Sequence, residues 1–111
     1  MKLPKIPDGQ MRQLVEQAQK MMEEAQRFEE EMEQLQVQAS AGGGVVKATV
    51  NGKGVLIQLE IAPEAVDPSD VEMIQDLVVS AVREAQNQAE NIRAERMHAM
   101  TGGLGNLSLP F

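Results

Sequence analysis

The sequence predicts an α+β domain: a long helix, a three-stranded antiparallel meander and a second long helix (α-β-β-β-α). Three observations predict it. Apolar residues recur at alternating spacings of three and four from Met11 to Leu35, the period of a helix face. Between Leu35 and Ile61 the apolar period falls to two, as in strands with one buried face. From Val71 the helical period returns. At 111 residues the chain has room for a single domain, 1–111.

Residues 1–8 form a basic, Pro-containing lead, and Asp8 is a candidate N-cap for the first helix. Met11, Leu14, Ala18, Met21, Ala25, Phe28, Met32 and Leu35 then make a heptad seam that Val15 and Met22 widen. A helix over 9–34 is about 39 Å long, more than a compact chain of this size can bury unaided. Strands are expected near 35–41, 44–51 and 54–61. Gly42-Gly43-Gly44 separates the first two, and Asn51-Gly52 signals a type I′ hairpin between the second and third. Pro63 ends the third strand. Ser69 with Glu72 fits a capping box for a helix over 70–100, with Asp67-Pro68 as an alternative start. Val71, Ile74, Leu77, Val78, Ala81, Val82, Ala85, Ala89 and Ile92 form its apolar face, and Gly102-Gly103 stops it. Residues 101–111 have the Gly/Leu/Pro composition of a flexible tail.

Composition excludes several functions. There is no Cys and only one His, so disulfides, zinc fingers, thiol catalysis and multi-histidine metal sites are ruled out within one chain. Phe28 and Phe111 are the only aromatics, which argues against base-stacking platforms. No run of 18 apolar residues is present, so no membrane-spanning helix is expected. The opening MKLPKIPDG lacks the apolar run of a signal peptide. A cytoplasmic protein is the expectation.

Each motif that invites chemistry has a plainer reading. Gly52-Lys53 is followed by Gly54 rather than Ser or Thr, and a strand follows, so this is a turn and not a phosphate loop. Glu23, Glu24, Glu29, Glu30, Glu31 and Glu33 point in different directions around a helix and read as a solvated face. His98 has no matched nucleophile or second ligand and reads as a helix C-terminal residue favouring the macrodipole. Met11, Met21, Met22 and Met32 read as packing residues. No catalytic residues, cofactor or small-molecule substrate are expected, and the chain does not read as an enzyme.

Charge is segregated. The net charge is −7. Residues 1–22 carry +2, residues 23–34 carry −5, residues 67–90 carry −5 and residues 91–111 carry +1. The first helix runs into the sheet and the second runs out of it. Arms projecting from one side would bring Lys2, Lys5, Arg12, Arg93 and Arg96 to a common tip. Such a tip can hold a phosphate backbone despite the acidic total, because distant charges are screened within about 8–10 Å.

The Gln/Met/Glu-rich helix from Gln10 to Leu35, the run Gly44-Val45-Val46-Lys47-Ala48-Thr49-Val50-Asn51-Gly52, the strand from Val55 to Ile61 and the helix start Glu72-Met73-Ile74-Gln75-Asp76-Leu77-Val78 occur together, before a tail ending Pro110-Phe111. This combination resembles the YbaB/EbfC family of bacterial nucleoid-associated DNA-binding proteins. The resemblance implies a tweezer-like homodimer in the cytoplasm, associated with the nucleoid. It implies binding of double-stranded DNA through the backbone, with bending or bridging and an influence on gene expression. Carried onto this chain, the DNA-contacting residues are Lys2, Lys5, Arg12, Arg93 and Arg96. Dimerisation is expected independently, because the seam and the small core need a partner surface. Two alternatives stand beside this reading: a prefoldin-like holdase chaperone, and an adaptor whose acidic helix meets basic proteins.

Overall fold

The computed structural model describes residues 5–101. The chain runs through α1 (Asp8–Gln34), β1 (Gln36–Ala41), β2 (Val46–Asn51), β3 (Leu56–Ile61), a 3-10 turn at Pro63–Ala65 and α2 (Val71–Met100). The expected order is the observed one, and element ends shift by one or two residues. Lys2 and the expected tail from Gly102 onward lie outside the described residues. The chain divides into two compact units, residues 1–31 and 32–111.

The first unit holds most of α1. The Met11 N–H donates to the Pro7 carbonyl at 3.0 Å. Asp8 is therefore the first helical residue rather than its cap, and its carboxylate sits where the helix dipole favours negative charge. The expected apolar stripe is present but open to solvent at Met11, Leu14, Val15 and Met21, with Met22 beside it.

The second unit is built on an antiparallel sheet of order β1-β2-β3. Val37 pairs with Val50, Ala39 with Ala48 and Ala41 with Val46. These pairs put the small and branched residues on one face, while Gln36, Gln38, Ser40 and Lys47 are exposed. α2 covers the apolar face. Ala81, Ala85 and Ala89 recur at intervals of four, all fully buried, in one core with Val37, Ala39, Val46, Ala48 and Val50. Alanines at this seam let the helix backbone approach the strands closely, and Leu77, Val78, Val82 and Ile92 close its flanks.

Two further local expectations are corrected. Asn51-Gly52 does not form a type I′ turn, because neither residue has a positive φ. The loop instead has three residues, Gly52 to Gly54. Asn51 N–H donates to the Val55 carbonyl at 2.9 Å, Gly54 N–H donates to the Asn51 carbonyl at 3.0 Å, and Gly54 takes the left-handed position at φ 84°. This is the next commonest hairpin geometry. Asn51 Oδ1 accepts from the N–H groups of Lys53 and Val55, which explains the asparagine. A bulge between Thr49 and Val50 accommodates the extra residue of β3.

The second correction is the cap of α2. Asp70, not Ser69 or Asp67, is the N-cap, and its Oδ1 accepts from the Met73 N–H at 3.2 Å. Ser69 is already committed. Its Oγ and N–H donate to Asp67 Oδ1 at 2.6 and 2.9 Å. The Ser69 hydroxyl, and then its N–H, hold the Asp67 carboxyl below its ordinary value. The triple-glycine turn is as expected: Gly42, Gly43 and Gly44 all have positive φ, which side-chain-bearing residues rarely adopt.

Candidate nucleic-acid interface

The basic residues singled out in the sequence fall on both units. In the first unit Arg12 is exposed in the early turns of α1, and Lys5 is exposed three residues ahead of the helix. Arg93 and Arg96 lie one turn apart near the end of α2 in the second. Ile92 is the last residue of α2 packed on the core, and residues 94–100 are all exposed. Arg96 therefore stands on a solvated helical extension, with Arg93 at its root.

The two arginines have different surroundings. Arg93 is half-buried and lines a cleft of about 280 Å³ with Gly52, Lys53 and Gly54 of the β2–β3 turn and Gln86 and Glu90 of α2. The Gln86 side-chain amide donates to the Gly54 carbonyl at 3.0 Å and ties the turn to the helix. Arg96 is exposed.

Lys53 is the neighbour that sequence reasoning passed over. It sits in the turn rejected as a phosphate loop, and its Nζ makes an ion pair with Glu33 Oε1 at 2.9 Å. The rejection of a phosphate cradle has a geometric reason. Every N–H from Gly52 to Val55 is spent inside the fold: Gly52 on the Met32 carbonyl, Gly54 on the Asn51 carbonyl, Lys53 and Val55 on Asn51 Oδ1. No backbone donors converge there on an anion.

Charge runs along α2 in the sense of its dipole. Asp70 and Glu72 stand at the N-terminal end, and Arg93, Arg96 and His98 at the C-terminal end. Glu72 and Arg96 are 24 residues apart. At about 1.5 Å per residue that is about 36 Å, several screening lengths at physiological salt. The acidic start of α2 contributes little potential where the arginines stand; the acids near them are Glu90, which lines the same cleft as Arg93, and Glu95, next to Arg96 in sequence. Among the described residues no cluster of His, Cys, Asp or Glu could hold a metal ion. No described helix is long and apolar enough to cross a membrane.

These features define an α+β protein whose second helix packs on one face of a three-stranded antiparallel sheet and runs on into solvent. The particular family follows from comparison with known proteins. Residues 8–104 match the YbaB/EbfC DNA-binding family, and the chain belongs to it. A nucleoid-associated protein of Clostridium perfringens is 55% identical over 97 residues, 87% of each chain. A nucleoid-associated protein of Saccharopolyspora erythraea is 45% identical over 112 aligned positions, covering 94% of this chain and 97% of that one. The crystal structure of the uncharacterized protein HP0035 from Helicobacter pylori shares the fold, with a TM-score of 0.62 and 26% identity, over 75% of this chain and 96% of that one. The family is one of DNA-binding proteins and not of enzymes.

Proposed function

We propose that this nucleoid-associated DNA-binding protein acts as a cytoplasmic homodimer on double-stranded DNA. It holds the phosphate backbone through Arg12 of α1, through Lys2 and Lys5, which precede α1 in sequence, and through Arg93 and Arg96 near the end of α2. By holding the duplex at more than one point it bends or bridges it and influences the expression of nearby genes. The observation that carries this reading is the charge order along α2. Arg96 stands on the turns beyond Ile92 and Arg93 at their root, about 32–36 Å from Glu72 at the acidic start, with Glu90 and Glu95 as the acids near them. A net charge of −7 is thereby compatible with a local anion site. The missing aromatics fit the same reading, since backbone contacts need cations and not stacking surfaces.

Titrating the purified protein against duplex DNA at several salt concentrations tests it. Backbone binding requires log K to fall with log salt by about 0.9 per contacted phosphate, giving a slope of several units. Engagement of all five residues in both protomers sets a bound of about −9. No binding at low salt would remove this reading and put the holdase or adaptor first.

A further inference from the structure

The β2–β3 turn holds the one asparagine of the chain that is followed by glycine; Asn87, Asn91 and Asn106 precede Gln88, Ile92 and Leu107. Before glycine, an asparagine side-chain amide is most open to attack by the next backbone nitrogen, because no side chain blocks the approach and the backbone turns freely. The fold needs both residues. Asn51 Oδ1 accepts from the Lys53 N–H at 2.9 Å and the Val55 N–H at 3.0 Å, which builds the turn. Gly52 passes so close to the end of α1 that a Cβ would lie 2.8 Å from the Met32 carbonyl oxygen. The same contacts restrain both reacting groups. The two N–H donors fix the Asn51 side chain. The Gly52 N–H, whose proton must leave before the nitrogen can attack, donates to the Met32 carbonyl at 2.7 Å. Gly52 is buried, and Met32 beside it is fully buried.

We infer that Asn51 is a modification site that the fold keeps closed: it deamidates through a succinimide in chains whose β2–β3 turn has come away from the end of α1. In the open turn hydroxide removes the Gly52 amide proton. The nitrogen bonds to Asn51 Cγ, the Cγ–Nδ2 bond breaks, and the side-chain nitrogen leaves as ammonia with a proton from water. Water then hydrolyses the cyclic imide at either carbonyl, and nothing is oxidised or reduced. One opening gives aspartate on an unaltered backbone. The other gives isoaspartate, whose main chain runs through the former side-chain carbons. The two products differ in what they can rebuild. An aspartate carboxylate still places an oxygen to accept from the Lys53 and Val55 N–H groups. Isoaspartate adds a main-chain atom between the Asn51 N–H, which donates to the Val55 carbonyl at 2.9 Å, and the Gly52 N–H, which donates to Met32. Those two bonds then no longer fit one hairpin. Its carboxylate also springs directly from Cα, a methylene short of the two N–H groups that build the turn. A chain that has stayed open is thereby marked, and the isoaspartyl fraction is shut out of the folded pool.

Incubating the full-length protein at mildly alkaline pH, in buffer and in guanidinium chloride, tests this. Peptide mass mapping and labelling with an isoaspartyl methyltransferase follow the products. In denaturant the modification should fall on the peptide carrying Asn51 and spare those carrying Asn87 and Asn91. In buffer the rate at Asn51 should be lower by about tenfold or more, since only the open fraction reacts. On removal of denaturant, the aspartyl product and an Asn51→Asp variant should regain the helical circular dichroism of the unmodified protein, and the isoaspartyl product should not. Equal rates in buffer and in denaturant would overturn the inference, because the turn would then not be guarding the site. An isoaspartyl product that refolds with the unmodified unfolding midpoint would overturn it as well.

Discussion

Gly52→Ala is the perturbation whose cost can be worked most directly from the structure. A Cβ at this position would lie 2.8 Å from the Met32 carbonyl oxygen, 2.9 Å from Met32 Sδ and 3.0 Å from Met32 Cα. Two of these atoms are backbone, so a rotamer change cannot relieve the contact. The Gly52 φ is not positive, so alanine meets no conformational penalty and the effect is steric alone. Relief requires the turn to move away from the end of α1, which breaks the 2.7 Å bond from the Gly52 N–H to the Met32 carbonyl. Losing that bond costs about 1 kcal/mol. Displacing the fully buried Met32 adds an overpacking cost of about 1–3 kcal/mol. The sum, about 2–4 kcal/mol, is a large part of the stability of a small domain. Urea unfolding followed by circular dichroism measures it. Gly9→Ala is the control, since nothing lies within 4 Å of a Cβ there and alanine favours the helix. A Gly52→Ala midpoint within error of wild type would refute the claim that the turn meets Met32 through a contact with no room for a side chain.

Further predictions concern the core, the cap and the pH response. Ala85→Leu inserts three carbons into the fully closed seam between α2 and the sheet and should destabilise by about 1–3 kcal/mol, read by urea unfolding; a stabilised variant would mean the seam is not closely packed. Asp70→Ala removes the cap of α2 and should cost about 1 kcal/mol, whereas Ser69→Ala should leave amide exchange at Met73 unchanged because it caps nothing. The Asp67 carboxyl is held below its ordinary value of 3.8, so its stabilising contribution is present above that pH and is lost as pH falls through the lowered value. Carbon-detected titration should show the Asp67 carboxyl moving up in Ser69→Ala, and an unchanged titration would contradict the assigned cause.

Much of the architecture is legible from residue spacing alone. The seam from Met11 to Leu35 and the face from Val71 to Ile92 mark both helices, because a helix that packs must repeat near 3.6. Alternation marks the strands for the same kind of reason. The local details were decided by competition that spacing does not record. Asn51-Gly52 fits a two-residue turn, yet Gly54 two positions later and the bulge at Thr49/Val50 favour a three-residue loop. Ser69 and Glu72 satisfy the capping pattern, yet Asp67 takes the Ser69 hydroxyl first. The candidate interface divides in the same way. Arg93 and Arg96 are recognisable from their place near the end of a helix. The approach of Lys53 to Arg93 across the cleft joins residues 40 positions apart, and no local pattern encodes it. The exposure of every residue of β3 is equally tertiary, since it depends on which strands α2 crosses.

The most direct test of the central claim compares the salt dependence of duplex binding in the wild-type protein and in a variant reversing Lys5, Arg12, Arg93 and Arg96 to glutamate. The account predicts that the variant remains folded and dimeric, loses duplex binding at physiological salt, and retains none of the several-unit salt slope of the wild type. A folded variant that binds with the wild-type affinity and slope would contradict the account, and the phosphate contacts would then lie elsewhere on the surface.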